Sequence, residues 1–146
     1  NLLRKLNLWL RKLMWNIYSK TSKGDNIPRL SMAVTIYHNP RCSKSRQALK
    51  LLNEAGVNVE IIEYLKHPPD AVTIDWILDY LALQPRQLMR KGEARYCELE
   101  LDNQDLDRNI LIESMINNPI LIERPIVISN DKVRLGRPPE AVLEII

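Results

Sequence analysis

The stretch Tyr37-His38-Asn39-Pro40-Arg41-Cys42-Ser43-Lys44-Ser45-Arg46 decides the fold. Upstream of it, Ala33 to Tyr37 is a short apolar run rich in β-formers (Val34, Thr35, Ile36, Tyr37), which predicts a buried strand. Asn39-Pro40 is a turn signal. Downstream, Ala48, Leu49, Leu51 and Leu52 recur at helical spacing, so a helix begins at or just after Cys42 and runs to about Ala55. Strand, sharp turn and helix therefore set one cysteine at a helix N-terminus. Unpaired amide N–H groups and the positive end of the helix dipole meet there, favouring thiolate over thiol and attracting oxyanions. His38, Arg41, Lys44 and Arg46 add positive or titratable charge. A cysteine near a helix start is often only a small buried apolar residue. The dense basic surroundings favour the reactive reading of Cys42.

Working outward, Gly56 suits the end of that helix and Val57 to Tyr64 reads as a second strand. Strand, helix and strand form a βαβ unit, hence a parallel pair. His67-Pro68-Pro69-Asp70 interrupts the pattern. Thr73 to Leu83 then reads as a helix, with Ile74, Ile77, Leu78 and Leu81 as its apolar stripe and Thr73 as its cap. Gln87 to Gly92 is expected as a short helix carrying Arg90, and Glu93 to Asn103 as an irregular polar stretch holding Cys97. Leu106 to Asn117 is a further helix, stopped by Asn118-Pro119. A strand Ile126 to Ser129, a turn at Asn130-Asp131 and a strand Lys132 to Leu135 form a hairpin. Pro138 and Pro139 open a final amphipathic helix with Val142, Leu143, Ile145 and Ile146. The order β-α-β, inserted helices, β-β-α predicts an α/β protein with a thioredoxin-like fold and a mixed central sheet.

The 146 residues suffice for one domain with a sizeable core, and 45% hydrophobic with 27% charged residues is ordinary for a soluble globular chain. The net charge of +3 divides unevenly. Residues 1–31 hold seven Lys/Arg against the single acid Asp25, a net of +6, which leaves −3 on residues 32–146. The domain thus lacks the basic footprint of a nucleic-acid binder. Residues 2–18 are expected as a basic amphipathic helix, with Leu2, Leu3, Leu6, Trp9, Leu10, Leu13, Met14 and Ile17 on one face, and Thr21 to Ser31 reads as a linker. Residues 1–31 are accordingly read as an extension separate from a domain at 32–146. Contact of residues 1–20 with a membrane surface, a partner-docking segment, a cleaved targeting segment, and a stretch foreign to the domain are the readings open to it. Met32, directly before the first strand, would make a natural start. Two cysteines, Cys42 and Cys97, far apart and without zinc spacing, point to a reduced, cytoplasmic setting rather than a disulfide scaffold.

Two arginines stand in similar punctuation, Glu123-Arg124-Pro125 before one strand and Gly136-Arg137-Pro138-Pro139 after the next. Guanidinium groups bind tetrahedral oxyanions through paired hydrogen bonds, so arginines gathered round a thiolate suit an arsenate- or phosphate-like substrate. Spacing alone does not bring them to Cys42, and taken singly each reads first as a surface arginine.

Four motifs, His38-Asn39-Pro40-Arg41-Cys42, Leu88-Met89-Arg90-Lys91, Asn118-Pro119-Ile120-Leu121-Ile122-Glu123-Arg124-Pro125-Ile126-Val127 and Leu135-Gly136-Arg137-Pro138, occur in one order and register across residues 32–146. Together they resemble the glutaredoxin-dependent arsenate reductase (ArsC) family, and within it the ArsC-like housekeeping members. The resemblance implies Cys42 as nucleophile, with His38 as the nearby histidine favouring its thiolate. It implies Arg90, Arg124 and Arg137 as the oxyanion-holding set, and Ser45 and Arg46 as the supporting loop. It further implies reduction of As(V) to As(III) with glutathione as co-substrate and glutaredoxin as partner, and no bound cofactor or metal. Fold analogy adds a cis bond at Arg124–Pro125. Two departures bear on the shape of the site: Gly92 stands where the family often has Asn, and Gly136 where a larger residue is common.

Three rival readings use the same residues. An arsenate reductase of the low-molecular-weight phosphatase type needs Cys-x5-Arg, and residue 48 is Ala. An Spx-like regulator that binds RNA polymerase usually carries Cys-x-x-Cys, and residue 45 is Ser. A general monothiol oxidoreductase acting on glutathionylated proteins would use the same thiolate, and it is the serious alternative.

Overall fold

The computed structural model describes residues 34–146, so the extension and linker expected over 1–31 lie outside the described residues. The element order is β1 (Val34–His38), α1 (Ser43–Glu54), β2 (Val59–Glu63), α2 (Ala71–Leu81), α3 (Ala94–Glu98), α4 (Arg108–Asn117), β3 (Ile126–Ser129) and β4 (Lys132–Leu135), ending in a 3-10 helix at Pro139–Ile145. The four strands form one mixed sheet in the order β2-β1-β3-β4. β1 and β2 run parallel across the α1 crossover, while β1–β3 and β3–β4 are antiparallel. This is the thioredoxin-like arrangement expected from the order of elements.

Alternation along the strands divides the core into two layers. Val34 and Ile36 of β1 and Val127 of β3 turn to one face, where they pack with Ala48 and Leu52 of α1 and with Val142 and Ile145. Tyr37, Ile126 and Ile128 turn to the other face, into a larger layer with Ile74, Ile77 and Leu78 of α2 and Leu111, Ile112 and Met115 of α4. Arg108 of α4 joins α2 through Asp75 at 2.7 Å and Asp79 at 2.8 Å. Helix α1 ends where the backbone turns through Gly56 at φ +73°, a conformation that glycine adopts without the Cβ penalty.

Several local expectations are corrected. Helix α2 begins two residues before Thr73, and its cap is Asp70, which accepts from the Thr73 amide at 2.7 Å. The segment expected as a helix over Gln87 to Gly92 is a 3-10 turn at Pro85–Gln87 followed by extended backbone bridged to residue 122. The stretch 93–103 is not wholly irregular, because α3 occupies Ala94–Glu98 and carries the exposed Cys97. The last segment is 3-10 rather than α-helical, and of its four expected apolar residues Val142 and Ile145 are buried while Leu143 and Ile146 are exposed. The Arg124–Pro125 bond is cis, in accord with the fold analogy, and so is Arg137–Pro138, which the sequence reading did not include.

Candidate active site

The site lies just past the end of the sheet at which β1 stops and β3 starts. Strand register pairs His38 with Glu63, Tyr37 with Ile126, and Ile126 with Leu135. Carried one residue past the β1–β2 pairs and two past the β1–β3 and β3–β4 pairs, the same register aligns Tyr64, Asn39, Arg124 and Arg137 in one row. The first step is real on the β4 side, where the Gly136 amide donates to the Pro125 carbonyl at 2.9 Å. Arg90 joins from the inserted region by a separate device. Met89 and Ile122 form an isolated antiparallel bridge, with the Arg90 amide donating to Leu121 at 2.7 Å and the Glu123 amide to Leu88 at 2.9 Å. Backbone pairing therefore lays the segment carrying Arg90 beside the one carrying Arg124.

Cys42 occupies the N-cap position of α1, with extended backbone at φ −92°, ψ 122°. Its side chain closes no capping hydrogen bond of its own, which leaves the first amides of the helix unsatisfied by it. Partial burial pushes the thiol pKa up. The Ser45 and Lys44 amides and the Arg124 guanidinium more than offset that, so the pKa is lowered from the ordinary value. The thiolate is the nucleophilic form, and these groups stabilise it.

The turn before it is held by a hydrogen-bond chain built on Ser45, which is fully buried. Its Oγ accepts from the Asn39 amide at 3.0 Å and lies 2.7 Å from His38 Nδ1. Asn39 Oδ1 accepts from the Arg41 amide at 2.9 Å, closing the turn. His38 is 7% exposed. Burial lowers its pKa and Arg46 adds to that, outweighing the opposing pull of Glu63. The neutral imidazole is thereby favoured, and the ring is tied to the turn before Cys42 through Ser45. Arg46 is exposed and donates from Nη1 to the Pro40 carbonyl at 2.8 Å, bracing the loop from outside. The Arg41 and Lys44 side chains are exposed.

Arg124, Arg90 and Arg137 are brought together, and two carboxylates absent from the sequence reading hold them. Glu123 Oε1 is 2.8 Å from Arg137 Nε and 3.9 Å from Arg90 Nε. Glu93 Oε1 pairs with Arg90 Nη1 and lies 3.9 Å from Arg124 Nη1. Arg137 Nε also donates to the Arg124 carbonyl at 3.1 Å. The Arg124 side chain is only 12% exposed, yet its Nε and Nη1 have no hydrogen-bond partner. A buried charged donor without an acceptor is costly, and such groups mark places where a ligand completes the network. The sequence signal for the carboxylates was present in Glu123-Arg124, but nothing local ties Glu93 to Arg124.

Of the two departures, Gly92 leaves open space, with nothing within 4 Å of a Cβ built on it. Gly136 is different: a Cβ there would stand 2.5 Å from Pro125 Cγ and 3.3 Å from Val142 Cγ1. The absence of a side chain at 136 lets Pro125 lie against the end of β4, beside the arginine row. No group of His, Cys, Asp and Glu able to hold a metal ion occurs among the described residues. Among them, too, no helix is long and apolar enough to cross a membrane.

The chain was compared with known proteins. A family model described as the ArsC family matches residues 37–145. The uncharacterized protein YfgD of Escherichia coli (strain K12) is 51% identical over 118 residues, covering 80% of this chain and 99% of that protein. An arsenate reductase of Neisseria meningitidis serogroup A is 46% identical over 110 residues, covering 75% and 94% respectively. Among solved structures, an arsenate reductase from Vibrio cholerae superposes with a TM-score of 0.76 at 44% identity, covering 80% of this chain and 99% of its own.

Proposed function

The chain belongs to the ArsC family, and from that premise we propose that it is an arsenate reductase in which Cys42 is the nucleophile and glutathione and glutaredoxin supply the electrons. One observation carries the reading: the Arg124 guanidinium stands beside Cys42 with its buried Nε and Nη1 lacking a hydrogen-bond partner. A thiolate and a tetrahedral anion repel each other. Arg124, Arg90 and Arg137 offset that repulsion, and each charge-assisted hydrogen bond to the anion contributes about 1.5–3 kcal/mol.

In this reading the Cys42 thiolate attacks arsenic, an S–As bond forms, and one arsenate oxygen departs as water after taking up two protons. The arsenic remains As(V). The glutathione thiol next displaces a second oxygen, again as water, to give an arsenic carrying both sulfurs. A glutaredoxin thiolate then attacks the glutathione sulfur. The S–As bond to glutathione breaks, its electron pair passes to arsenic, and As(V) becomes As(III) as the glutaredoxin–glutathione disulfide forms. Water then attacks the arsenic, the remaining S–As bond breaks, and arsenite leaves as Cys42 returns to the thiolate. Lewis-basic sulfur and cationic side chains carry each step. Both Cys42 and Cys97 are free thiols, which supports work in a reducing, cytoplasmic compartment where glutathione is abundant.

The test is arsenate-dependent NADPH oxidation by the purified protein with glutathione, glutaredoxin and glutathione reductase, with a glutathione mixed disulfide as the second substrate. Arsenate turnover that disappears in Cys42→Ser supports the proposal. Turnover of the mixed disulfide alone would assign the protein to general deglutathionylation instead.

A further inference from the structure

Among the described residues, three buried side-chain polar atoms lack a hydrogen-bond partner: Nε and Nη1 of Arg124 and the hydroxyl of Tyr64. Tyr64 is 1% exposed. Leaving a hydroxyl buried and unpaired is costly, so a fold keeps few of them. Here both residues concerned fall in the same row past the end of the sheet, Tyr64 following β2 and Arg124 preceding β3, with Asn39 between them. They also share a face. Tyr64 packs in the layer with Leu88, Met89, Leu121, Ile122 and Ile126, the residues that flank Arg90 and Arg124 in sequence. The Asn39 side chain, its polar neighbour in the row, accepts from the Arg41 amide and acts on the phenol to lower its pKa, yet it does not meet the hydroxyl at hydrogen-bond geometry.

We propose that the Tyr64 hydroxyl is a further catalytic residue, donating a hydrogen bond to one oxygen of the tetrahedral oxyanion held between Cys42 and Arg124. The inference rests on the oxyanion reading of the site and adds to it a neutral donor on the side opposite Arg137 in the row. Burial holds the phenol pKa above its ordinary value, against the lowering effects of Arg124, the Asn39 side chain and Arg90, so the group keeps its proton through the neutral range. A protonated phenol adds a donor without adding charge. It strengthens as charge gathers on the oxyanion during attack, which is the condition for favouring the transition state over the ground state.

Tyr64→Phe removes the hydroxyl alone and leaves the ring packing in place. The expected result is a ten- to fiftyfold fall in kcat/KM for arsenate, the size of one lost hydrogen bond to a charged group. The urea unfolding midpoint should be unchanged or higher, because an unpaired buried hydroxyl is lost. Turnover of a glutathione mixed disulfide should stay within twofold of wild type. A hydroxyl that merely supports the fold would give the reverse pattern, with a lower midpoint and no selective loss on arsenate, and that result overturns the proposal. So does arsenate turnover within twofold of wild type. Should the wild-type protein turn over no arsenate at all, the reading of the overall reaction fails. Tyr64 is then judged by calorimetric titration with sulfate and phosphate: tenfold weaker binding in Tyr64→Phe upholds the donor role, and equal binding ends it.

Discussion

Arg137 Nε donates to the backbone carbonyl of Arg124 at 3.1 Å, so one arginine of the site fixes the main chain of another. The two are therefore unequal. Arg137 is 40% exposed, is held by Glu123 and serves partly as a brace, whereas Arg124 is 12% exposed and presents free donors beside Cys42.

Replacing Arg124 by Ala should accordingly be the most damaging of the three Arg→Ala changes. Loss of one charge-assisted contact, about 1.5–3 kcal/mol, corresponds to a ten- to hundredfold fall in kcat/KM for arsenate. Arg137→Ala should fall toward the lower end of that range. Lys at 124 should restore only part, because it keeps the charge and loses the planar fork of donors. Steady-state kinetics of wild type and the four variants give the ranking, and equal small effects on arsenate and on a mixed disulfide would remove the anion clamp.

The thiol at 42 should ionise below the ordinary cysteine range, because the Ser45 and Lys44 amides and Arg124 outweigh its partial burial. Iodoacetamide labelling of Cys42, followed by mass spectrometry against pH, should show a midpoint below that of a free thiol. Arg124→Ala should move the midpoint upward. A midpoint that does not respond to Arg124 would mean that the helix amides alone set the reactivity. Labelling of Cys97 serves as the internal comparison, and Cys97→Ser should leave turnover near wild type.

How far the site could be read from the sequence follows from how local each part is. Residues 37–46 declare themselves, because the β-run, the Asn39-Pro40 turn and the helical spacing after Cys42 all act within one short segment. Arg90 was read onto a helix, whereas it sits in extended backbone paired with residues 121–123. That pairing is between segments some thirty residues apart, and no local propensity encodes it. Helix α3 was missed because five residues, Ala94–Glu98, are too few to show a period. In the sequence Pro68-Pro69 draw the boundary first, so Asp70 reads as part of a break, whereas it is the cap of α2. The carboxylates Glu93 and Glu123, and the orphan hydroxyl of Tyr64, depend on which segments meet. Each looks like an ordinary surface or strand residue until the row is assembled.

Glu93 bears on binding because it lies between two of the arginines that would hold the anion. An incoming oxyanion displaces its carboxylate from Arg90 and Arg124. Glu93→Gln keeps the shape and removes the competing charge, so sulfate and phosphate should bind more tightly, by roughly 1 kcal/mol or about fivefold for a partly exposed pair. Calorimetric titration reads this directly. Weaker binding in the variant would show that Glu93 acts mainly by orienting Arg90.

Gly136 should tolerate no side chain while Pro125 lies where it does. A Cβ would press on Pro125 Cγ at 2.5 Å, a ring atom of a backbone-constrained residue with little room to turn aside. Gly136→Ala is expected to destabilise the domain by about 1–3 kcal/mol, the usual range for overpacking a closed site, read as a lower urea midpoint. It should also lower arsenate turnover, because the displaced proline carries Arg124 with it. An alanine variant as stable and as active as wild type would mean that β3 and β4 separate without disturbing the row.

The last prediction concerns acid. His38 is buried and its pKa is lowered, mainly by burial, so the folded state favours the neutral ring. A group with a depressed folded pKa adds stability that is present above its unfolded pKa and is lost as pH falls through the folded one. For His38 that window opens at the ordinary imidazole range and extends below it. The loss has a structural route. Ser45 Oγ already accepts from the Asn39 amide, so its proton is free to point at a neutral Nδ1, and a protonated Nδ1 would need that same oxygen as a second-pair acceptor. Protonation thus disturbs the turn that sets Cys42 at the start of α1. Urea midpoints measured from neutral pH downward should fall in this window for wild type, and arsenate turnover should fall with them. His38→Asn, which cannot titrate there, should start less stable but show a flatter profile. An equally steep decline in His38→Asn would assign the acid sensitivity to other groups.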